Sequence, residues 1–147
     1  MARLARIEDL KEILGLYKEL RPNDPILNYK EAEKAFQNII DNPNTAVIVE
    51  EQNDRLYATC MLGIVPSLAE AARPFGIIEH VVTLAKARGK GFGKSVLSFA
   101  LQFAWENNCY KVVILSGTQR HEAHRLYESV GFVGGLEKGF VAKPGKI

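Results

Sequence analysis

The stretch Arg88-Gly89-Lys90-Gly91-Phe92-Gly93-Lys94-Ser95 stands between an apolar β-like run and an amphipathic helical run. Glycines at alternate positions clear side chains from the backbone and let successive N–H groups approach a ligand closely. The helix that follows adds its unpaired N-terminal N–H groups and the positive end of its dipole. Arg88, Lys90 and Lys94 add positive charge. A strand, a glycine loop and a helix in this order require a sheet with a helix packed on it. The loop itself suits a pyrophosphate.

Two common phosphate loops do not fit. A P-loop needs glycine five positions before the glycine that precedes Lys-Ser. Counting back from Gly93, that position is Arg88. A dinucleotide fingerprint begins at Gly89-Lys90-Gly91 but then requires glycine where Lys94 stands. The spacing present is Arg-x-x-Gly-x-Gly, at Arg88, Gly91 and Gly93.

A chain of 147 residues, 47% hydrophobic and 24% charged, is expected to form one domain over 1–147. A net charge of +2 carries no strong field for nucleic acid or for a membrane surface, so neither is an expected partner. Cys60 and Cys109 lie in apolar runs without metal-ligand spacing and read as buried thiols. The opening residues lack an apolar signal core and no run approaches a membrane span, so a cytoplasmic protein is the expectation.

Periodicity predicts a strand over 2–6, a helix over 8–20 and a second helix to about 41. Asn28 as N-cap and Glu31 three residues on mark the start of that second helix. Strands are predicted near 45–50, 55–65 and 76–84, with a turn at Gln52-Asn53-Asp54. A helix over 91–107, a strand over 111–115, a helix over 120–130 ended by Gly131 and a last strand over 132–141 complete the chain. The order β-α-α-β-β-β-α-β-α-β is that of an α/β protein with a mixed sheet and helices on its faces.

Three segments in order carry a family likeness: Ile78-Glu79-His80-Val81-Val82-Thr83 leading into the glycine loop, Cys109 to Leu115, and Ala123-His124-Arg125-Leu126-Tyr127-Glu128-Ser129-Val130-Gly131-Phe132. They resemble the GNAT N-acetyltransferase superfamily over nearly the whole chain. The resemblance implies the GNAT acyl-CoA N-acyltransferase fold. It also implies an enzyme that transfers an acetyl group from acetyl-CoA directly to a primary amine of a small molecule, without a metal. Backbone groups of Val81, Val82 and Thr83 would pair with the pantetheine arm. Residues Arg88, Gly89, Lys90, Gly91, Phe92, Gly93 and Lys94 would hold the pyrophosphate, with Ser95 assisting at the helix start.

Glu79 interrupts an apolar strand, where a buried carboxylate needs a partner or a task. With a raised pKa it could take the proton from the acceptor ammonium. His80 should point to the opposite face, by the two-residue strand period. The likeness places Tyr127 to protonate the leaving thiolate. One departure stands at Arg120, where many family members carry asparagine; arginine there could reach a phosphate. His121 and His124 sit one turn apart with no third ligand, so no metal site is expected. The loops Arg21–Tyr29 and Pro66–Phe75 should recognise the acceptor, with Arg73 available for a carboxylate or phosphate. Two other readings fit the motifs: an acyl-CoA-binding sensor with little turnover, and acetylation of a peptide or protein amine. A homodimer is expected from family habit and from apolar residues near the C-terminus.

Overall fold

The structure, a computed structural model, describes residues 1–145. Five strands form one sheet in the order β1-β2-β3-β4-β5. They are β1 (Ala2–Leu4), β2 (Thr45–Gln52), β3 (Arg55–Val65), β4 (Phe75–Thr83) and β5 (Val112–Ile114). Neighbours are antiparallel except β4 and β5, which are parallel. Parallel strands need a long crossover, and α4 (Phe92–Glu106) supplies it. The β2–β3 hairpin turns through Asn53 and Asp54, both at positive φ, a conformation these two residue types tolerate.

Side chains alternate across the sheet into two cores. On one face Ile48, Cys60, Leu62 and Ile78 pack against Val96, Leu97, Ala100 and Ala104 of α4. On the other, Val47, Val49, Leu56 and Val82 pack against α1 (Leu10–Leu20) and α2 (Tyr29–Asp41) through Leu10, Ile13, Leu16, Ala32 and Phe36. Asn28 caps α2 as expected, its side-chain oxygen accepting from Lys30 N at 2.9 Å and Glu31 N at 3.3 Å. Both cysteines are buried.

Two expectations need correction. The first helix begins later, because Ile7–Asp9 is a 3-10 turn. The loop Pro66–Phe75 contains one left-handed turn, Ala69–Ala72 (α3), with Glu70, Ala71 and Ala72 at positive φ, as a loop permits. Residues 132–141 do not form a strand. Gly135 turns the chain at φ +86, and the segment touches the β5 region through a Lys111–Glu137 ion pair at 3.3 Å rather than through a ladder. The outer edge of β5 is therefore unpaired among the described residues.

Two irregularities shape the region around β4. β4 and β5 pair only from Gly76–Ile78 to Val112–Ile114 and then separate. On its other side β4 bulges: Met61 faces Glu79 and Thr59 faces Val82, so Cys60 opposes both His80 and Val81. His80 absorbs the bulge at φ +56.

Candidate active site

Beyond Ile78, β4 has β3 on one side and, among the described residues, no strand on the other. The open side faces a cleft of about 870 Å³ whose far wall includes Arg120, Leu126 and Tyr127, Arg120 leading into α5 (His121–Ser129). Val81, Val82, Thr83, Arg88, Gly89, Gly91, Phe92, Gly93 and Lys94 line the near wall. Gly89 and Gly91 have φ of +81 and +83, with nothing within 4 Å of where a Cβ would stand. Backbone conformation, not space, calls for glycine there. Gly93 differs: a Cβ would lie 3.1 Å from both Leu126 Cδ2 and Thr83 Oγ1. Its bare backbone lets α4 approach β4 and α5. Ser95 N donates to Gly91 O at 3.0 Å, the first bond of α4. The N–H groups of Phe92, Gly93 and Lys94 precede that bond and have no partner within the helix.

Two of the residues expected at this loop are not part of the cleft wall. Lys90 is exposed and outside the cleft wall. The Ser95 hydroxyl donates to Glu50 Oε2 at 2.6 Å instead of facing the cleft. Glu50 is 3% exposed and also accepts from Gln52 at 2.8 Å and from the N-terminal amine at 2.8 Å. Burial pushes its pKa up, but these three donors outweigh burial and hold it below the usual carboxylate value.

A second cavity of about 220 Å³ continues from the first. Leu20, Val81, Arg120 and Tyr127 line both spaces. Arg21 comes from the end of α1, Glu79 and His80 from β4, and Leu115 from the residue after β5. Glu79 is exposed, because the splay of β4 from β5 leaves solvent where a neighbouring strand would lie. Its charge helps hold Arg21 ionised, secondary to the Arg21–Asp24 pair at 2.7 Å. His80 does not point away from Glu79 as strand alternation predicts. The bulge breaks the period, and both line the same cavity. The His80 ring packs on Tyr17 at 5.3 Å, and burial pushes the Tyr17 phenol up to about 12.

Tyr127 is 7% exposed. Burial raises its pKa, and the Arg120 guanidinium opposes that rise in part. At neutral pH the phenol therefore keeps its proton and can donate it. Its position is fixed by the end of α5. Gly131, at φ +108, lets Phe132 N reach back to Tyr127 O at 3.1 Å, and the two rings lie 6.1 Å apart. Arg73 is not available to a ligand as expected. It donates to Asn108 O at 3.2 Å and Cys109 O at 3.1 Å, securing the end of α4. Glu19 and Gln119 also line the larger cleft, and neither had a signal in the sequence pattern. Glu19 accepts from Ala85 N at 3.0 Å and so ties α1 to the turn after β4.

Residues 8–132 match the Acetyltransferase (GNAT) family. The chain belongs to that family. It is similar to an uncharacterized N-acetyltransferase of Bacillus subtilis (strain 168), YhdJ, at 28% identity over 98% of this chain and 97% of the relative. It is also similar to the glucosamine 6-phosphate N-acetyltransferase of Trypanosoma brucei brucei, 27% identical over 88% of this chain and 86% of that one. A solved structure from Agrobacterium tumefaciens str. C58, a proposed acetyltransferase, superposes with a TM-score of 0.91. It is 40% identical and covers 97% of this chain and 99% of that one. The protein is thus an acetyl-CoA N-acetyltransferase with the GNAT fold. The glycine loop suits that co-substrate: open space above Gly89 and Gly91, free N–H groups on the first turn of α4 and an unpaired β4 edge beside them.

Proposed function

We propose that this acetyltransferase moves an acetyl group directly from acetyl-CoA to the primary amine of a small molecule, with both substrates bound together. The observation that carries the reading is the junction of the two cavities at Leu20, Val81, Arg120 and Tyr127. An exposed carboxylate lies on one side of it and the glycine loop on the other.

In this scheme the backbone of residues 88–94 holds the pyrophosphate, and the open edge at Val81, Val82 and Thr83 pairs with the pantetheine arm as an added strand. Backbone N–H groups near Val82 polarise the thioester carbonyl. Glu79 takes a proton from the acceptor ammonium, directly or through water, which frees the lone pair. The amine nitrogen then bonds to the carbonyl carbon, the carbon–sulfur bond breaks, Tyr127 gives its proton to the departing thiolate, and the second proton that the nitrogen loses as the amide forms restores the phenol. Neither cysteine lines the cavities, and burial pushes both thiols up, so no acyl-enzyme enters the scheme. A cytoplasmic location goes with this reading.

A homodimer also belongs to it. Val133, Leu136, Phe140 and Val141 are exposed, as is Leu115 beside the unpaired β5 edge. A second copy would cover them, and light scattering reads the mass directly.

The test is initial-rate kinetics of thiol release, varying acetyl-CoA and the acceptor together. Lines that intersect are expected. Parallel lines, the mark of a covalent acetyl-enzyme, would sink direct transfer.

A further inference from the structure

The lining of the acceptor cavity carries more positive than negative charge, with Asp24 outside the lining offsetting part of Arg21. Arg21 and Arg120 bring two permanent positive charges, Glu79 one negative charge, and His80 an imidazole. Its remaining wall is apolar apart from Tyr127: Leu20, Ile78, Val81, Ile114 and Leu115. An acceptor arrives as an ammonium. Glu79 attracts it, and the two guanidiniums repel it. A polycation fares worse with every added charge.

We infer that the acceptor is an amine carrying its own anionic group, a carboxylate or a phosphate. The ammonium lies at Glu79 and the anion at Arg21. This rests on the direct-transfer reading above for the role of Glu79.

Arg21 is built for that contact. Its backbone N–H donates to Tyr17 O at 2.7 Å, so the residue is anchored at the end of α1. Its side chain is paired only with Asp24, through Nε at 2.7 Å, and both side chains are about half exposed. An exposed pair of this kind adds little to stability, so the guanidinium is easily redirected. Its two terminal nitrogens form no other bond to the described residues and present the planar fork that fits a carboxylate or phosphate. Arg120 faces both cavities. Its charge is shared with the glycine-loop side, which leaves Arg21 as the residue that discriminates between acceptors.

The test uses matched amines: glucosamine 6-phosphate against glucosamine, serine against serinamide, and spermidine as a polycation. Acetylation is followed by thiol release, and binding by calorimetry on protein saturated with CoA. The anionic member of at least one pair should exceed its neutral partner by about 10- to 100-fold in kcat/KM, the scale of a hydrogen-bonded charge contact. The pair that responds identifies phosphate or carboxylate. Arg21→Gln should bring that pair to near parity. A preference for spermidine or the neutral members overturns the inference, as does a ratio that survives Arg21→Gln. If nothing is acetylated, Arg21-dependent binding of an anionic member upholds the acceptor class on its own, and direct transfer stands or falls by the initial-rate pattern. Binding without that preference removes the acceptor class.

Discussion

At the glycine-loop end of the cleft the groups facing a ligand are mostly backbone: the first turn of α4, Gly89, Gly91 and the open edge of β4. At the acceptor end they are side chains brought together from α1, β4, β5 and α5. A backbone site constrains the sequence through φ and through clearance, so it leaves glycines at fixed spacing. A side-chain site constrains only where each residue ends up in space. The two ends should therefore fail separately, and in different kinetic constants.

Glu79→Gln removes the proposed base and keeps the shape of the side chain. Acetylation should fall by about 10²–10⁴-fold, with acetyl-CoA affinity by calorimetry unchanged. A parallel loss of acetyl-CoA binding would break the division between the two ends. Tyr127 bridges them, and its buried phenol offers a related test through pH. Burial raises the pKa above the usual 10.0. The donating form therefore persists through neutral pH and is lost only as pH rises past that ordinary value. Activity limited by this proton should hold to at least pH 10 in a stability-corrected profile. An alkaline limb below that, still present in Tyr127→Phe, would belong to another group.

Gly91→Val acts on the other end. Gly91 sits at φ +83 just before α4. A left-handed L-residue costs about 1–2 kcal/mol, and β-branching adds to it. Acetyl-CoA should bind about tenfold more weakly or worse, while the preference among acceptors stays as it was. Normal acetyl-CoA affinity in a folded variant would mean that the loop conformation does not matter for the pyrophosphate.

Much of the fold was legible because periodicity and punctuation agreed. β3 was expected over 55–65 and occupies Arg55–Val65, bounded by the Asn53-Asp54 turn. The glycine loop, the Asn28 cap and the Gly131-Phe132 ending were legible for the same reason: each is a local backbone requirement tied to a residue type. The errors are non-local. Strand alternation placed His80 away from Glu79, but the bulge opposite Cys60 turned both into one cavity, and no residue in the stretch announces it. Residues 132–141 are β-prone, yet a strand needs a partner, and the edge beside it remains unpaired among the described residues. Arg73 looked like a ligand contact and instead holds two carbonyls at the end of α4, a distant pairing that composition cannot show.

Ser95 offers the finest test of the comparison, because it stands in the glycine-loop motif yet serves the core. Its hydroxyl donates to Glu50, a buried carboxylate with two other donors. Ser95→Ala leaves one oxygen of a buried charge less well satisfied, which should cost about 1 kcal/mol of folding stability, the lower end of the usual range because the other donors remain. Acetyl-CoA affinity should not move. The loss also has a pH signature. The folded-state pKa of Glu50 lies below its ordinary 4.5, so its ionised form stabilises the fold fully above that value, and the contribution fades as pH falls through the folded value. Removing one donor raises the folded pKa and shrinks that contribution. The gap between wild type and Ser95→Ala in denaturant melts should thus be full at pH 7 and close below about pH 4.5. A variant of unchanged stability but weakened acetyl-CoA binding would return Ser95 to the pyrophosphate and erase the division between motif and core.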